Sequence, residues 1–350
     1  MNTTLLQSIM ADVRQNCHIS NAQHAGNYTL CIYLLKMRDY YRWEHGESFN
    51  APIDKDKLGQ WLAEREELWE SLENRAFIPV EINNQCFDPF DSSGINEQLL
   101  PHDLVYSAGY GNKCNPHFFL GDLETLHQQG AYKIYVTGRE YARDLTSPPA
   151  MAQGNTIFIR RESFRRMIWE KYEEWLWSRP DNAMKRALQY YPFDSQINQA
   201  LDSMTNNELQ MALYHEIGEA MATELLGSQW LDILSMLPRS KGEIMFRAVK
   251  DHLADSLSTF PQLLGDFKPQ SLHFYMANLT SMRKLITPEL TKRYEQWLSD
   301  QSLTPLMEYA EAAKHHWLTL AHEMIELKSQ YPDINAYTKQ LTLLIDSNYL

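Results

Sequence analysis

The chain has 350 residues, 44% of them hydrophobic, and a formal charge of −13 from 32 basic and 45 acidic side chains. This length is enough to bury one large core or two smaller ones, and the acidic balance argues against nucleic acid or an anionic membrane as partner, because phosphate binding needs a basic surface. No apolar run approaches the roughly 18–20 residues of a membrane helix, and the first residues lack the basic-then-apolar pattern of a leader, so the expectation is a cytoplasmic protein with a small-molecule or protein partner of unspecified kind.

In chain order, residues 4–15, 28–43 and 55–75 carry helical periodicity. Between about 76 and 160 the pattern shortens to strand-like runs separated by Asn, Gly and Pro turns: Phe77-Ile-Pro-Val-Glu-Ile82, Leu104-Val-Tyr106, Tyr132-Lys-Ile-Tyr-Val136 and Thr156-Ile-Phe-Ile159. From residue 162 strand signals vanish, and helices are predicted over 162–177, 205–226, 241–257, 270–285, 288–299 and 305–330. Thr205-x-x-Glu208 reads as a capping box and Gly227 as a helix stop, while Thr287-Pro288 and Thr304-Pro305 each pair an N-cap with proline at the first helical position. The predicted fold is α+β, predominantly α. A small mixed α/β N-terminal lobe with a short sheet spans residues 1–178, and an all-helical array spans 183–350, with Ser178-Arg-Pro-Asp-Asn182 between them. Four cysteines, Cys17, Cys31, Cys86 and Cys114, show no Cys-x-x-Cys spacing and are expected to be free thiols.

The candidate chemistry lies in Tyr214-His-Glu-Ile-Gly-Glu-Ala220. Residues four apart on a helix have Cβ atoms roughly 5–6 Å apart on one face, so His215 and Glu219 together can supply two metal ligands. In the zinc-protease motif His-Glu-x-x-His the second histidine stands where this chain has Glu219. That makes a standard zinc protease improbable and leaves zinc, manganese or iron open. Glu208 lies near the same azimuth as His215, and Glu216, turned about 100° away, could reach a bound water as general base. Asp251 and Asp255, again four apart, offer the completing pair, with His252 turned about 100° from that stripe.

A second source of donors is Glu311, His315, His322 and Glu326, within about 60° of one another on a helical wheel. Facing helices with such donors are how di-iron and di-manganese centres are built. The plain alternatives are surface hydrogen bonds for His215 and Glu219, salt bridges of Asp251 and Asp255 with Arg247 or Lys250, and a solvated face for the stripe at 311–326. The loop Tyr106-Ser-Ala-Gly-Tyr-Gly-Asn-Lys-Cys-Asn-Pro-His-Phe-Phe-Leu120 lacks the remaining glycine of a dinucleotide fingerprint and reads as a tight turn. Cys114 with His117 forms only a weak nucleophile and base pair, and Arg139 and Arg143-Asp144 read as loop organisers.

The segments Ile19-Ser-Asn-Ala-Gln-His-Ala-Gly26, Leu35-Lys-Met-Arg-Asp-Tyr-Tyr-Arg-Trp-Glu44, Asp88-Pro-Phe-Asp91, Ala108-Gly-Tyr-Gly111 with Pro116-His-Phe-Phe-Leu120, Ala142-Arg-Asp-Leu145, His215-Glu-Ile-Gly-Glu-Ala220 and Arg247-Ala-Val-Lys-Asp251 with Ala254-Asp255 resemble a family of uncharacterised bacterial proteins with paired N- and C-terminal domains of unknown function. The resemblance covers nearly the whole chain and implies a fold class but no activity. It includes His215, Glu219, Asp251 and Asp255 and not the stripe at 311–326, which favours the first set as ligands. Three functional readings follow. One is a metal-dependent enzyme in which His215, Glu219, Asp251 and Asp255 hold a divalent zinc, manganese or iron and Glu216 activates a metal-bound water for hydrolysis. The second is a di-iron carboxylate oxidase, and the third a non-catalytic interaction or scaffold protein whose polar motifs are buried salt-bridge networks. A further reading is a small-ligand binder using the glycine loop and aromatics of the first half.

Overall fold

The computed structural model describes residues 3–111 and 115–350, so Cys114 lies outside the described residues. The fold is α+β and predominantly α. The chain divides into two compact units, residues 1–170 and 171–350. Among the described residues no helix is long and apolar enough to cross a membrane. Cys17, Cys31 and Cys86 are free thiols.

The first unit opens with α1 (Thr3–His24), α2 (Leu30–His45) and α3 (Lys55–Leu72). A hairpin of β1 (Val80–Ile82) and β2 (Gln85–Phe87) follows, turning through Asn83 and Asn84 at φ 51° and 62°, the left-handed pair that a two-residue hairpin favours. Helix α4 (Ser92–Leu99) starts under Asp91, whose side chain accepts from the Gly94 amide. The sheet is larger than the short one expected from sequence. Strands β3 (Leu104–Tyr110), β4 (Pro116–Gln129), β5 (Tyr132–Arg143), β6 (Ala150–Gln153) and β7 (Thr156–Arg160) assemble in the order β3-β4-β5-β7-β6. All neighbours are antiparallel except β5 and β7.

Strand β4 occupies the segment that reads as a loop in the sequence. Pairing continues through Gly109 opposite His117, and the Gly111 amide donates to the Asn115 carbonyl, so Gly109 lies within the β3–β4 pairing and Gly111 just beyond it. A Cβ on Gly109 would collide with the Gln153 side chain, which donates to the Ala108 carbonyl. Glycine there leaves room for that side-chain amide. Alternate residues serve opposite faces: Tyr106, Phe118 and Leu120 pack with Ile9, Val13 and Cys17 of α1, while Val105, Phe119, Tyr135 and Phe158 cluster separately. Asp144 organises the turn after β5, accepting from the amides of Phe118, Thr146 and Ser147.

Glu140 on β5 is 2% exposed and accepts from Arg160 at 2.9 and 2.7 Å and from Ser163 at 2.7 Å, with Arg143 3.7 Å away. Its carboxyl is held below the usual range despite burial, because Arg160 and Arg143 flank it. This cluster joins β5 to β7 and to the start of α5 (Arg161–Leu176).

The second unit carries α6 (Ala183–Leu188), α7 (Ile197–Met236), α8 (Lys241–Ala254), a π-turn (Asp255–Thr259), α9 (Phe260–Gly265), α10 (Pro269–Asn278), α11 (Ser281–Ile286), α12 (Pro288–Asp300), α13 (Thr304–Gln330) and α14 (Ile334–Asp346). Several expected helix ends move. Helix α7 begins eight residues before Thr205, so Thr205 and Glu208 are interior and buried, not a capping box. Gly227, at φ 67° and ψ −169°, interrupts the helical backbone of α7 where a stop was expected, and a second helical segment continues beyond it to Met236. The expected helix 241–257 passes into the π-turn, and 270–285 breaks between α10 and α11. The core centres on Trp230, stacked 3.7 Å from Phe246, and on Trp317, with α14 contributing Tyr337, Leu341 and Ile345. Glu140→Ala should cost about 3–5 kcal/mol in urea unfolding, because it strands buried Arg160 and Arg143 without a counter-charge.

Candidate functional site

Helix α7 meets the end of α8 at Gly218. A Cβ there would collide with the Ala254 carbonyl oxygen and backbone, so only glycine lets the two helices come this close. One turn earlier on α7, His215 then reaches Asp255, the first residue of the π-turn, with Nδ1 2.8 Å from Oδ1. An extra backbone residue in a π-turn re-aims side chains, and such turns recur at functional sites.

Asp255 is 1% exposed and has four donors. His215 and the Thr259 hydroxyl, 2.9 Å away, share Oδ1. The Tyr275 hydroxyl of α10, at 2.6 Å, and the Arg283 guanidinium of α11 share Oδ2. Arg283 also reaches the Tyr275 hydroxyl at 3.2 Å. Burial would raise the Asp255 carboxyl, but Arg283 and His215 hold it far below the carboxylate range. Burial likewise opposes charge on His215; the Asp255 carboxylate overrides it, with Glu219 and Glu216 adding, and lifts the imidazole from 6.5 to about 10. His215 is therefore an imidazolium at neutral pH, its side chain 34% exposed.

Around this pair stand the other sequence-derived residues. Glu219 receives Lys250 at 2.8 Å through Oε2, while its Oε1 is buried without a partner. Burial raises the Asp251 carboxyl, opposed by Arg283 and His215 and reinforced by Glu219 and Asp255. Glu216 contributes its field to His215. The structure thus brings His215, Glu219, Asp251 and Asp255 into one electrostatically coupled cluster, with Lys250 and Arg283 among them. Arg247 instead pairs along its own helix with Glu243 at 2.5 Å. Among the described residues, no group of three or more His, Cys, Asp or Glu side chains is disposed to hold a metal.

The remaining candidates are dispersed. His252 is buried, stacked on Trp317 at 4.9 Å and bonded through Nε2 to the Arg283 carbonyl, which anchors α11 beside the site. Burial and Arg283 push its imidazole down to about 3. Glu208 is buried and bonded elsewhere, with Tyr191 and Ser271 donating to Oε1, and burial lifts its carboxyl to about 7. Glu311, His315, His322 and Glu326 are all exposed along α13. His117 is buried 3.9 Å from Asp144, and burial lowers its imidazole. Sequence reasoning passed over Arg283, Tyr275 and Thr259. Only Thr259 had a spacing signal, four residues after Asp255.

These features define a helical unit built around a buried carboxylate and a paired imidazolium, following a unit with a mixed sheet. The chain belongs to a family of unknown function (DUF6866): residues 8–160 match its N-terminal domain and residues 165–347 its C-terminal domain. No curated protein and no solved structure matches the chain.

Two outcomes follow from this geometry. Gly218→Ala should cost about 3 kcal/mol, because the helix crossing must open, and the new methyl should weaken the His215–Asp255 bond, read as a drop in the NMR-titrated His215 pKa. A folded-state pKa raised to about 10 gives stability that is fully present below the unfolded value near 6.5 and lost as pH rises toward 10. The stability gap between the wild type and His215→Gln, followed by urea unfolding, should shrink steadily from pH 6 to pH 10.

Proposed function

We propose that the second unit is a non-catalytic helical scaffold or interaction module in which the acidic motifs act as charge locks. One observation carries this reading: the carboxylates that a metal would need already face cations of the protein, with Asp255 held by His215 and Arg283 and Glu219 by Lys250. A buried ion pair of this kind is weak as a source of stability but strong as a device for fixing register. Here the register is that of α7 and α11 against the end of α8. In this reading the protein works in the cytoplasm, and its partner is a protein or small molecule.

A second reading keeps a specific observation in its favour. Glu219 Oε1 is buried without a partner, and the charges of Glu219, Asp251 and His215 act on one another. If these side chains, with the His215 imidazolium giving up its proton, took up zinc or manganese, the metal would activate water for hydrolysis, with Glu216 as base; a pair of irons would bring oxidative chemistry instead. Elemental analysis of protein purified without chelator or histidine tag separates the two. The scaffold reading expects no stoichiometric transition metal in the wild type or in His215→Ala. Stoichiometric zinc, manganese or iron that disappears in His215→Ala would overturn it.

A further inference from the structure

The first unit contains a cleft of 580 Å³ that the His215 cluster does not involve. The volume is in the range of sites for small organic ligands. It opens between α1, the end of α2, β4, β5 and the start of α5. In a chain of net charge −13 it gathers Arg14, Arg139, Arg161 and Arg165 on its walls. Four carboxylates, Glu44, Glu124, Glu140 and Glu162, stand beside them, and Glu162, which burial and Glu140 raise, accepts from the Glu140 amide. Glu44 is bound by Arg65 and by the Trp61 indole N–H, both at 2.6 Å, and Glu124 by Arg161 at 2.7 Å.

The floor holds two further guanidinium groups. Glu140 and Glu162 line the cleft, and the buried Arg160 and Arg143 flank Glu140, with Glu162 also acting on Arg143. Arg143 Nε and Arg160 Nη1 are buried with no acceptor. Burial pushes Arg143 down to about 10, opposed by Glu140 and Glu162 and reinforced by Arg166 and Arg160. Trp43 stiffens the wall, with Arg143 4.6 Å and Arg14 5.8 Å from its ring centroid.

Two wall arginines keep donors for a ligand. Arg14 is fixed through Nε to the Tyr141 carbonyl at 2.8 Å, and its Nη atoms have no hydrogen-bond partner among the described residues. Arg139 lies 5.3 Å over the Tyr141 ring and has no ion pair among the described residues. Tyr141 thus braces both guanidiniums from the same strand. Paired N–H groups of this kind match the oxygen geometry of carboxylate or phosphate.

We propose that this cleft binds a small organic anion, its carboxylate or phosphate group held by Arg14 and Arg139 above the Glu140–Arg143–Arg160 floor. The cleft volume admits a ligand up to mononucleotide size. A compact tricarboxylate and a nucleoside monophosphate present the same oxyanion, so the two serve as separate probes.

The test is isothermal titration calorimetry of the full chain with citrate and with adenosine 5′-monophosphate at low salt. Saturable binding of at least one probe is expected, and which one binds assigns the carboxylate or the phosphate class. Arg139→Gln should weaken that binding about tenfold or more, the loss of a charge-assisted hydrogen bond, and Arg14→Gln should do the same. Arg239→Gln, in the second unit, should leave it unchanged. Arg139 is exposed on β5, so Arg139→Gln should keep the wild-type thermal midpoint and decides the matter alone if Arg14→Gln unfolds. Absence of binding by both probes at millimolar concentration, or binding that Arg139→Gln leaves intact, would overturn the proposal.

Discussion

The carboxylate of Asp255 sets the arrangement of the second unit. Burying an unpaired charge costs many kcal/mol, so a carboxylate that is 1% exposed must collect donors from whatever surrounds it. Those donors come from four places in the chain: His215 on α7, Thr259 at the end of the π-turn, Tyr275 on α10 and Arg283 on α11. The bond from Thr259 is local to the turn, but those from His215, Tyr275 and Arg283 are lost if the helices slide by a turn. The close crossing at Gly218 and the anchoring of the Arg283 carbonyl by His252 serve the same geometry from either side.

The first unit has a buried charge centre of opposite balance. At Glu140 two guanidiniums flank one carboxylate, and a cleft lined by Arg14, Arg139, Arg161 and Arg165 opens above it. Near Asp255 two cationic side chains sit among Asp251, Glu216 and Glu219, and the field there runs negative, which is why the His215 imidazole stays charged so far above its ordinary pKa. Both centres lie where regular structure changes: a strand giving way to α5 in one, an α-helix passing into a π-turn in the other. Such junctions leave polar backbone and side chains that a uniform element would have paired internally.

Much of the site could be read from periodicity. His215 and Glu219, and Asp251 and Asp255, were placed on helix faces by spacing alone, and their mutual approach follows from the apolar residues flanking each pair. The cations were harder to read. Lys250 was visible as a neighbour of Asp251, yet it turns to Glu219, because side chains one residue apart on a helix diverge by about 100°. Arg283 carries no local signal, since its link to Asp255 depends on the break between α10 and α11. Strand β4 was missed for a related reason: its glycine-rich approach looks like a loop until the pairing partner and the Gln153 contact are known.

By itself the sequence determined the α+β class, the change from a mixed first half to a helical second half, and the faces on which the acidic and histidine side chains lie. These follow from interactions within a few residues along the chain, where 3.6 and 2.0 periodicities and turn residues act. Tertiary structure alone decided which charges meet. Whether a carboxylate faces a metal, an imidazolium or a guanidinium depends on contacts between segments 28 to 40 residues apart, as with Arg283, His215 and Asp255. Pair energies of that kind depend on burial and distance, which no local pattern encodes.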